Sequence, residues 1–339
     1  METTTQKIKV NVQELEEKVR SMYRDVALHP NGKYHFEMGR SLAEKLGYDP
    51  RQLDQIPKEA IESFAGVGFF FDYAALKEGD KVLDLGSGSG MDSFLAALRV
   101  GKTGSVAGLD MTDEQLQKAE RLRDQYGFAN VGFHKGYLEK LPFENNSFDV
   151  VISNGVINLC PEKTKVFREI GRVLKPGGRL AIADIVSEKN LPDNVVCDAT
   201  LWASCIGGAS QEDEYSEAIK SGGLSITAVI TNERYVFISS SAQSASKKYG
   251  VKSVSLLAEK KFVADVSLNV PGLACANLTP AIKKEMQNLQ PGQVLEVISD
   301  DFASREGVPA WCRLTGNKLL AEIDESEERN IFYIQKKAN

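Results

Sequence analysis

Three glycines alternate with serines in VLDLGSGSGMDSF, residues 82–94. An apolar, strand-like run precedes them and a helix-like run follows, so they fall in the turn between the two. Gly86 permits a tight turn, Gly88 lets the backbone around Ser87 approach a ligand, and Gly90 allows close packing at a helix N-terminus. Such a terminus favours polar or anionic groups. The stretch predicts a nucleotide-like site, with a ligand-free glycine turn as the alternative.

Two carboxylates narrow the chemistry of this site. Asp84 comes two residues before Gly86, near the end of the predicted strand, where its carboxylate suits a cationic ammonium better than a pyrophosphate. Asp110 ends the next predicted strand, 20 residues beyond Gly90, where an acid can bind both hydroxyls of a ribose. A helix cap before MTDEQ is the alternative for Asp110. Position and spacing together favour ligand binding.

Alternating strands and helices must position these residues. Apolar runs predict the strands KVLDL, SVAGLD, VGFHKG, FDVVISN and RLAIADIV. Helix-like segments lie between them, among them DSFLAALRVG, DEQLQKAERLRDQYG and EKTKVFREIGRVLKPGG. This alternation predicts an α/β fold, a Rossmann-like doubly wound sheet that is mostly parallel and has helices on both faces.

The organisation changes on either side of this region. Residues 1–75 read mainly as helices, and we expect them to form an N-terminal lid on the domain at 76–260. After Val186 the pattern weakens and ends in the polar segment FISSSAQSASKKYG. A second unit, 261–339, follows with FVADVSLNV, LTPAIKKEMQNL, GQVLEVISD, PAWCRLTGNKLLAEI and NIFYIQKK. Its pattern predicts a small two-layer α/β domain.

Composition limits the classes of partner. The 339 residues are 42% hydrophobic and 26% charged, as in ordinary globular proteins, with a net charge of −6. The acidic balance argues against nucleic acid or an anionic membrane surface as partner and favours a small molecule. METTTQKIKVNVQELEEKV has no apolar core of the kind that a secretory signal needs, so we expect a cytoplasmic protein.

The cysteines are odd in number and irregularly spaced, which fits reduced thiols better than a disulfide framework. They are Cys160, Cys197, Cys205, Cys275 and Cys312. Neither a CxxC motif nor a Cys/His cluster is present in the sequence, so we expect no metal site.

Residues 81–186 resemble the class I S-adenosylmethionine-dependent methyltransferases. The resemblance covers VLDLGSGSG, GLDMT, KGYLEKLPFENNSFDVVISN and FREIGRVLKPGGRLAIADIV, in that family's order. It implies S-adenosylmethionine as cofactor, with Met111 packed on the adenine and Asn154 near the methionine end. Tyr137, Leu138 and Glu139 would line the adenine edge. Core packing is the alternative for Leu138.

Within that family, roughly residues 15–230 resemble the arsenite methyltransferases, from VRSMYRDVA through LAEKLGYDP and ISNGVINL to ASCIGGAS. Those enzymes hold trivalent arsenic with cysteines. Here Gly155 stands where ISNCVINL would carry one, and AGVGFF has Val67 at the other position, so only Cys205 remains. One thiol cannot form a three-thiolate site, which predicts that the cofactor is kept and the acceptor differs.

Several residues are candidates for contact with the acceptor. Tyr23, in VRSMYRDVA, is the family's tyrosine and would cover the methionine end; packing between helices is the alternative. Phe69, Phe70 and Phe71 are candidates for an aromatic entrance, although core packing is the simpler interpretation for at least two of them. Cys205 and Cys160 are either substrate contacts or small buried thiols.

The C-terminal unit resembles the small sulfur-carrier proteins of the TusA-like family through VSLNVPGLACANLTPAIKKEMQNLQPGQVLEVISDD and VPAWCRLTGNKLL. In that family a cysteine at the start of a helix carries a persulfide, and Cys275 occupies the position. A helix N-terminus favours the thiolate. The usual Cys-Pro is Cys275-Ala276 here, so an interaction or homodimerisation module is the alternative. Cys312 reads as a packed helix residue.

Together these features predict methyl transfer from S-adenosylmethionine to a small acceptor such as a thiol, a metalloid or an organic molecule. Two alternatives stay open. In the first, Cys275 delivers sulfur, or the acceptor is itself a thiol or selenol. In the second, the chain binds the cofactor or a metabolite without catalysis, and the C-terminal unit contacts another protein.

Overall fold

A computed structural model describes residues 11–196, 202, 206–326 and 329–338. The chain divides into two compact units, the first ending at Lys260 and the second beginning at Lys261. Within the described residues, no helix combines the length and the apolar character needed to cross a membrane.

The first unit begins with helices. α1 starts at Val12 because the Asn11 side chain accepts the backbone N–H of Glu14 at 3.3 Å, an N-cap that satisfies one free donor. The helix buries one apolar face, including Leu15 and Val19. The helices of this region are α1 (Val12–Leu28), α2 (Gly39–Leu46), α3 (Pro50–Leu53), α4 (Lys58–Glu62) and α5 (Phe71–Ala74).

The first unit has an α/β fold, as predicted. Its described strands are β1 (Lys81–Leu85), β2 (Ser105–Asp110), β3 (Val131–Lys135), β4 (Phe148–Asn154), β5 (Leu174–Ser187), β6 (Ser210–Gln211), β7 (Leu224–Thr231) and β8 (Lys252–Lys260). They lie in the order β3-β2-β1-β4-β5-β8-β7, with β6 beside β5. Five neighbouring strands, β3, β2, β1, β4 and β5, are parallel to one another, and β8 runs antiparallel to both β5 and β7.

Helices cover both faces of this sheet. They are α6 (Met91–Val100), α7 (Asp113–Tyr126), α8 (Lys163–Val173), α9 (Asp193–Val196), α10 (Glu212–Ser221) and α11 (Ser240–Tyr249), with a 3-10 turn at Ile157–Leu159. Successive strand residues point to opposite faces, so Val82 packs in one hydrophobic core and Leu83 in the other. The fully buried strands therefore read as continuous apolar runs.

The region after Val186 is more regular than its sequence pattern indicates. β7 and β8 complete the sheet as an antiparallel hairpin-like edge, and the Ser-rich segment forms α11. That helix begins where Ser239 Oγ accepts the N–H of Ala242, and it buries only the small side chains Ala242 and Ala245. The segment predicted as EKTKVFREIGRVLKPGG also divides, since α8 ends at Val173 and β5 begins at Leu174.

The second unit has the predicted two layers. Four described strands form a sheet in the order β11-β12-β10-β9: β9 (Val266–Asn269), β10 (Val294–Ser299), β11 (Lys318–Ser326) and β12 (Arg329–Gln335). Two helices pack on it, α12 (Cys275–Asn288) and α13 (Ser304–Thr315). Leu278, Val297 and Phe332 are fully buried in its core, and Cys312 is packed there as predicted.

Candidate active site

A cavity lies at the carboxyl ends of β1, β2 and β4, where the strand order reverses direction, the usual ligand position in doubly wound sheets. It encloses about 1130 Å³ free of protein atoms, including the solvent at its mouth. The structure brings the following predicted residues to its wall: Tyr23, Asp84, Gly86, Ser87, Gly88, Asp110, Met111, Tyr137, Leu138, Glu139 and Asn154.

The glycine turn leaves its backbone open to this cavity. Gly88 has a φ of +52°, which favours glycine, and a Cβ added there would lie 3.7 Å from Gln115 Oε1, an ordinary van der Waals contact without a clash. Gly86 is instead packed, because an added Cβ would lie 2.3 Å from Val156 Cγ2. Gly90 does not line the cavity; it starts α6 at a φ of +94°, packed against Phe133. Its role is the close helix packing, rather than ligand contact.

Asp110 is oriented by the backbone of the turn that it faces. Its Oδ2 accepts the N–H of Gly88 at 3.0 Å, and its Oδ1 accepts the N–H of Thr112 at 2.8 Å. Thr112, not Asp110, is the N-cap residue of α7. Each carboxylate oxygen retains a second acceptor site, so Asp110 can still accept two hydroxyl hydrogen bonds from a ligand.

Two buried acids, Asp84 and Asp92, also line the cavity. Asp84 accepts a hydrogen bond from Ser93 Oγ at 2.6 Å, and Asp92 accepts one from Tyr48 OH at 2.7 Å. Burial and the neighbouring Asp92 raise the pKa of Asp84 to about 8. Burial also raises the pKa of Asp92 to about 6. Because each carboxylate would be stabilised by a cation, this end of the cavity favours a positively charged ligand group.

Asn154 connects the acids to the loop that precedes the sheet. Its Oδ1 accepts the N–H of Val67 at 2.8 Å, and its Nδ2 donates to Asp92 Oδ2 and to Gly68 O, both at 3.1 Å. The amide is also within 3.1 Å of Tyr48 OH. Asn154 therefore fixes the loop around Val67 relative to the buried acids.

Sequence reasoning missed several residues of the wall. Gln115 is 2% exposed, accepts a hydrogen bond from Ser89 Oγ at 2.5 Å and donates to the backbone oxygen of Tyr23 at 2.9 Å. It joins α1 to the glycine turn. Asp92, which also lines the cavity, was missed as well, and so was Tyr48, which lies outside the wall and donates a hydrogen bond to Asp92. The position of Asp92 in the first turn of α6 was a usable signal, since acids there face the same loop as the glycines.

The N-terminal helix contacts the cavity at two points. Tyr23 lines the wall, and Arg20 Nη2 donates to Tyr137 OH at 2.6 Å, so α1 reaches the predicted adenine edge. Leu138 both lines the cavity and packs in the core, being 6% exposed. Burial raises the pKa of Glu139. The lid role of residues 1–75 stays a prediction.

The residues predicted to contact the acceptor lie in different environments. Cys205 lies outside the described residues. Cys160 lines the cavity, but burial and then the nearby Glu139 raise its pKa well above the usual value, so it remains a protonated thiol. Phe70 and Phe71 are core residues, 0% and 1% exposed. Phe69 is half-buried and packs edge-on against Tyr48.

Val67 and Gly155 are neighbours in space. A Cβ added to Gly155 would lie 3.1 Å from Val67 Cγ1. Gly155 has a φ of +71°, a conformation that favours glycine. The two positions at which the resemblance to arsenite methyltransferases implies cysteines thus face each other, and here they present a methyl group and a bare backbone.

The known proteins that this chain resembles include methyltransferases. A family profile described as "Methyltransferase domain" matches residues 76–223. Arsenite methyltransferase of Halobacterium salinarum is 41% identical over 187 residues, covering 55% of this chain, and that of Aquipseudomonas alcaligenes is 42% identical over 178 residues, covering 50%. The chain spans about half the length of these curated relatives, 48% and 51%.

A solved structure extends the match. The arsenic(III) S-adenosylmethionine methyltransferase CrArsM from Chlamydomonas reinhardtii is 30% identical, with a TM-score of 0.51. The alignment covers 68% of this chain and 76% of that protein. The chain belongs to the S-adenosylmethionine-dependent methyltransferases. Its second unit matches the profile "Sulfurtransferase TusA" over residues 266–336.

S-adenosylmethionine, the cofactor of this methyltransferase family, fits the residues of the cavity. Ser87 Oγ is buried and has no hydrogen-bond partner within the described protein, so it is available to a ligand. Asp110 offers acceptors for ribose hydroxyls, and the acids Asp84 and Asp92 offer negative charge for an ammonium group.

In the TusA-like unit, α12 begins at Cys275, directly after the N-cap residue Ala274. This is the helix-start position that the sequence predicts. Whether the thiol carries sulfur stays a prediction.

Proposed function

We propose that this methyltransferase transfers the methyl group of S-adenosylmethionine to a small acceptor, and that the acceptor is not arsenite held by three thiolates. The observation that carries the proposal is that one cavity is lined by the glycine turn, by Asp110 and by the buried acids. The relatives named as arsenite methyltransferases support the cofactor and the reaction type. The pairing of Val67 with Gly155 argues against inheriting their acceptor.

Each part of the cofactor has a complementary group on the wall. Asp110 would accept the ribose hydroxyls, and Met111 would pack on the adenine. Leu138 and Glu139 would line the adenine edge. Asp84 would attract the ammonium of the methionine part, because that cation stabilises the ionised carboxylate.

When bound, the cofactor supplies a methyl group already activated on a sulfonium. The chain's contribution is then to align the acceptor and exclude water. Tyr23 would cover the methionine end, held there by the hydrogen bond from Gln115 to its backbone oxygen. Asn154 would keep the loop at Val67 in place beside it.

Isothermal titration of the full chain with S-adenosylmethionine tests the cofactor site. We expect Asp110→Ala to weaken binding by about 100-fold, as for the loss of two charge-assisted hydrogen bonds of roughly 1.5 kcal/mol each. Asp113→Ala is the matched control, since this exposed acid of α7 pairs with Lys135 outside the cavity. Binding that Asp110→Ala leaves intact would contradict the proposal.

Labelled cofactor tests the reaction. Incubation with arsenite, sulfide, small thiols, phenols and quinones should transfer label to at least one organic acceptor or thiol, and poorly to arsenite. Transfer to none of them would favour a binding protein without catalysis.

A further inference from the structure

Gln115, on α7, connects the glycine turn to α1 through the wall of the cofactor cavity. Its Oε1 accepts the hydroxyl hydrogen of Ser89 at 2.5 Å, and its Nε2 donates to the backbone oxygen of Tyr23 at 2.9 Å. Because a carbonyl oxygen can only accept a hydrogen bond, the amide has one orientation that satisfies both partners. Gln115 and Ser89 are 2% and 4% exposed, so water cannot easily replace either partner.

The Ser89 end of this connection belongs to the segment that the proposed cofactor contacts. Ser87 Oγ has no hydrogen-bond partner within the described protein, and the N–H of Gly88 donates to Asp110, the proposed acceptor of the ribose hydroxyls. Ser89 follows directly and also lines the cavity. A ligand that orders Ser87 and Gly88 therefore also restricts the positions open to Ser89 Oγ.

The Tyr23 end of the connection positions one face of α1. Leu15, Glu16, Val19 and Tyr23 line the cavity from this helix, and their spacing places them on a single helical face. The Tyr23 ring also stacks on Phe36, with ring centroids 6.3 Å apart. A hydrogen bond to the backbone oxygen of Tyr23 thus holds part of this face against the cavity.

Other contacts join α1 to α7 away from the cavity. Arg24 Nε lies 3.0 Å from Glu114 Oε1, and Lys118 Nζ donates to Ala27 O at 3.3 Å. These four residues are not among the described residues that line the cofactor cavity. They hold α1 whether or not the cavity is occupied, whereas Gln115 contacts both the turn and the helix from within the wall.

We propose that Gln115 is a positioning residue that makes the position of Tyr23 depend on cofactor bound at the glycine turn. The inference rests on the proposed function. The bound cofactor orders Ser89, Ser89 holds the amide of Gln115, and the amide holds Tyr23 at the methionine end. Cofactor binding then reduces the motion of α1, so the wall that faces the acceptor is completed around the cofactor.

Hydrogen–deuterium exchange of α1 tests this coupling without turnover. The probe is S-adenosylhomocysteine, bound to saturation by the full chain. In the wild-type chain it should slow amide exchange over residues 19–27 by about fivefold to tenfold, the range expected for one hydrogen bond. In Gln115→Met and in Ser89→Ala the slowing should fall below about twofold, while isothermal titration still detects the bound probe. Ser89 has no hydrogen bond to Tyr23, so an effect of Ser89→Ala on α1 reports transmission through Gln115.

Glu114→Gln is the matched control. It removes the neighbouring contact with Arg24 from the same turn of α7, outside the cavity, and should keep the wild-type slowing. Wild-type slowing in both Gln115→Met and Ser89→Ala would overturn the inference. So would unchanged exchange of α1 in the wild-type chain with the probe bound.

Turnover with labelled S-adenosylmethionine and 2-mercaptoethanol separates positioning from cofactor binding. Gln115→Met should lower kcat by about tenfold and change the Kd of S-adenosylmethionine by less than about threefold. The double variant with Ser89→Ala should have the kcat of Gln115→Met alone, because both substitutions break the same connection. Additive losses of kcat would contradict a single connection.

The two proposals fail in different ways. No binding of S-adenosylmethionine by the wild-type chain would sink the proposed function. Cofactor binding with the same exchange of α1 in the wild-type chain and in both variants would overturn the role of Gln115 alone.

Discussion

The buried acids Asp84 and Asp92 make the cofactor-free protein sensitive to pH. In the folded chain the pKa of Asp84 is raised from 3.8 to about 8, chiefly by burial. The unfolded chain loses this proton near pH 4, so between about pH 4 and pH 8 the folded state binds more protons than the unfolded state. The stabilisation that comes from the protonated acid is therefore complete at low pH and is lost as pH rises through about 8.

We predict that the thermal midpoint of the cofactor-free chain falls as pH rises from 6 to 8, and that Asp84→Asn flattens this slope. The amide cannot ionise, and its oxygen can still accept the hydrogen bond from Ser93 Oγ. Differential scanning calorimetry across this range measures the effect. Asp72→Asn, at an exposed position outside the cavity, should leave the wild-type slope. Parallel curves for wild type and Asp84→Asn would contradict the assignment.

The site residues that the sequence predicts and those that it misses are positioned by different parts of the fold. Asp84 and Asp110 follow strands whose ends must meet at one edge of a parallel sheet, so strand positions alone bring them together. Tyr48 lies in the turn between α2 and α3 and Gln115 lies on α7, so no strand position specifies where they go, and only tertiary packing brings them to the site. Cys160 shows a further limit of prediction from sequence. The sequence identifies a thiol but not the burial that raises its pKa and keeps it protonated.

At the scale of elements, the loop at residues 66–69 is held by β8, a strand that the sequence pattern did not predict. Ser253 Oγ, on β8, donates to Val67 O at 2.6 Å, and Ser255 Oγ donates to Phe69 O at 3.1 Å. Asn232 Nδ2 donates to Ser253 Oγ at 2.9 Å. Asn232 Oδ1 also lies 2.9 Å from Ser255 Oγ, so it shares the single proton of that hydroxyl with Phe69 O. The antiparallel strand β8 thereby holds the loop that faces the cofactor cavity.

We predict that Ser253→Ala lowers the free energy of unfolding by about 1–3 kcal/mol, because Val67 O loses its buried donor. Urea denaturation measures this loss. Ser244→Ala is the control, since this serine bonds within the exposed face of α11 and should change stability by less than about 0.5 kcal/mol. Equal stabilities of the two variants would show that the hydrogen bond from Ser253 on β8 does not hold the loop.

The sequence predicted an element well when that element buries large apolar side chains. β1, β2 and β4 have the bounds that their apolar runs predict, because both faces of these strands are covered. β7 alternates buried or half-buried with exposed residues, and it contains Ser225, Thr227 and Thr231. α11 buries only alanines, so its helical period is almost invisible in FISSSAQSASKKYG. Elements whose buried side chains are small leave little hydrophobic pattern to detect.

At the scale of the whole molecule, cofactor chemistry and the TusA-like fold belong to separate units. Each unit has its own hydrophobic core: Phe94, Ile152 and Ile182 are among the buried residues of the first, and Leu278 and Phe332 of the second. The residues that line the cofactor cavity lie in the first unit. We therefore expect the first unit to build the proposed cofactor site by itself.

We predict that a chain of residues 1–260 binds S-adenosylmethionine as tightly as the full chain, because the described residues of the cavity wall and of both cores beneath it all lie in the first unit. Isothermal titration of the two proteins compares their Kd values, and circular dichroism checks that the shorter chain is folded. Cys275→Ser in the full chain is the matched control, since it alters the TusA-like unit without removing it and should bind the cofactor equally well. If the folded 1–260 chain bound more weakly than both the full chain and Cys275→Ser, the second unit would be part of the cofactor site. If all three bind alike, the turnover of Cys275→Ser then tests whether the TusA-like unit delivers sulfur, and unchanged turnover would favour an interaction or dimerisation module.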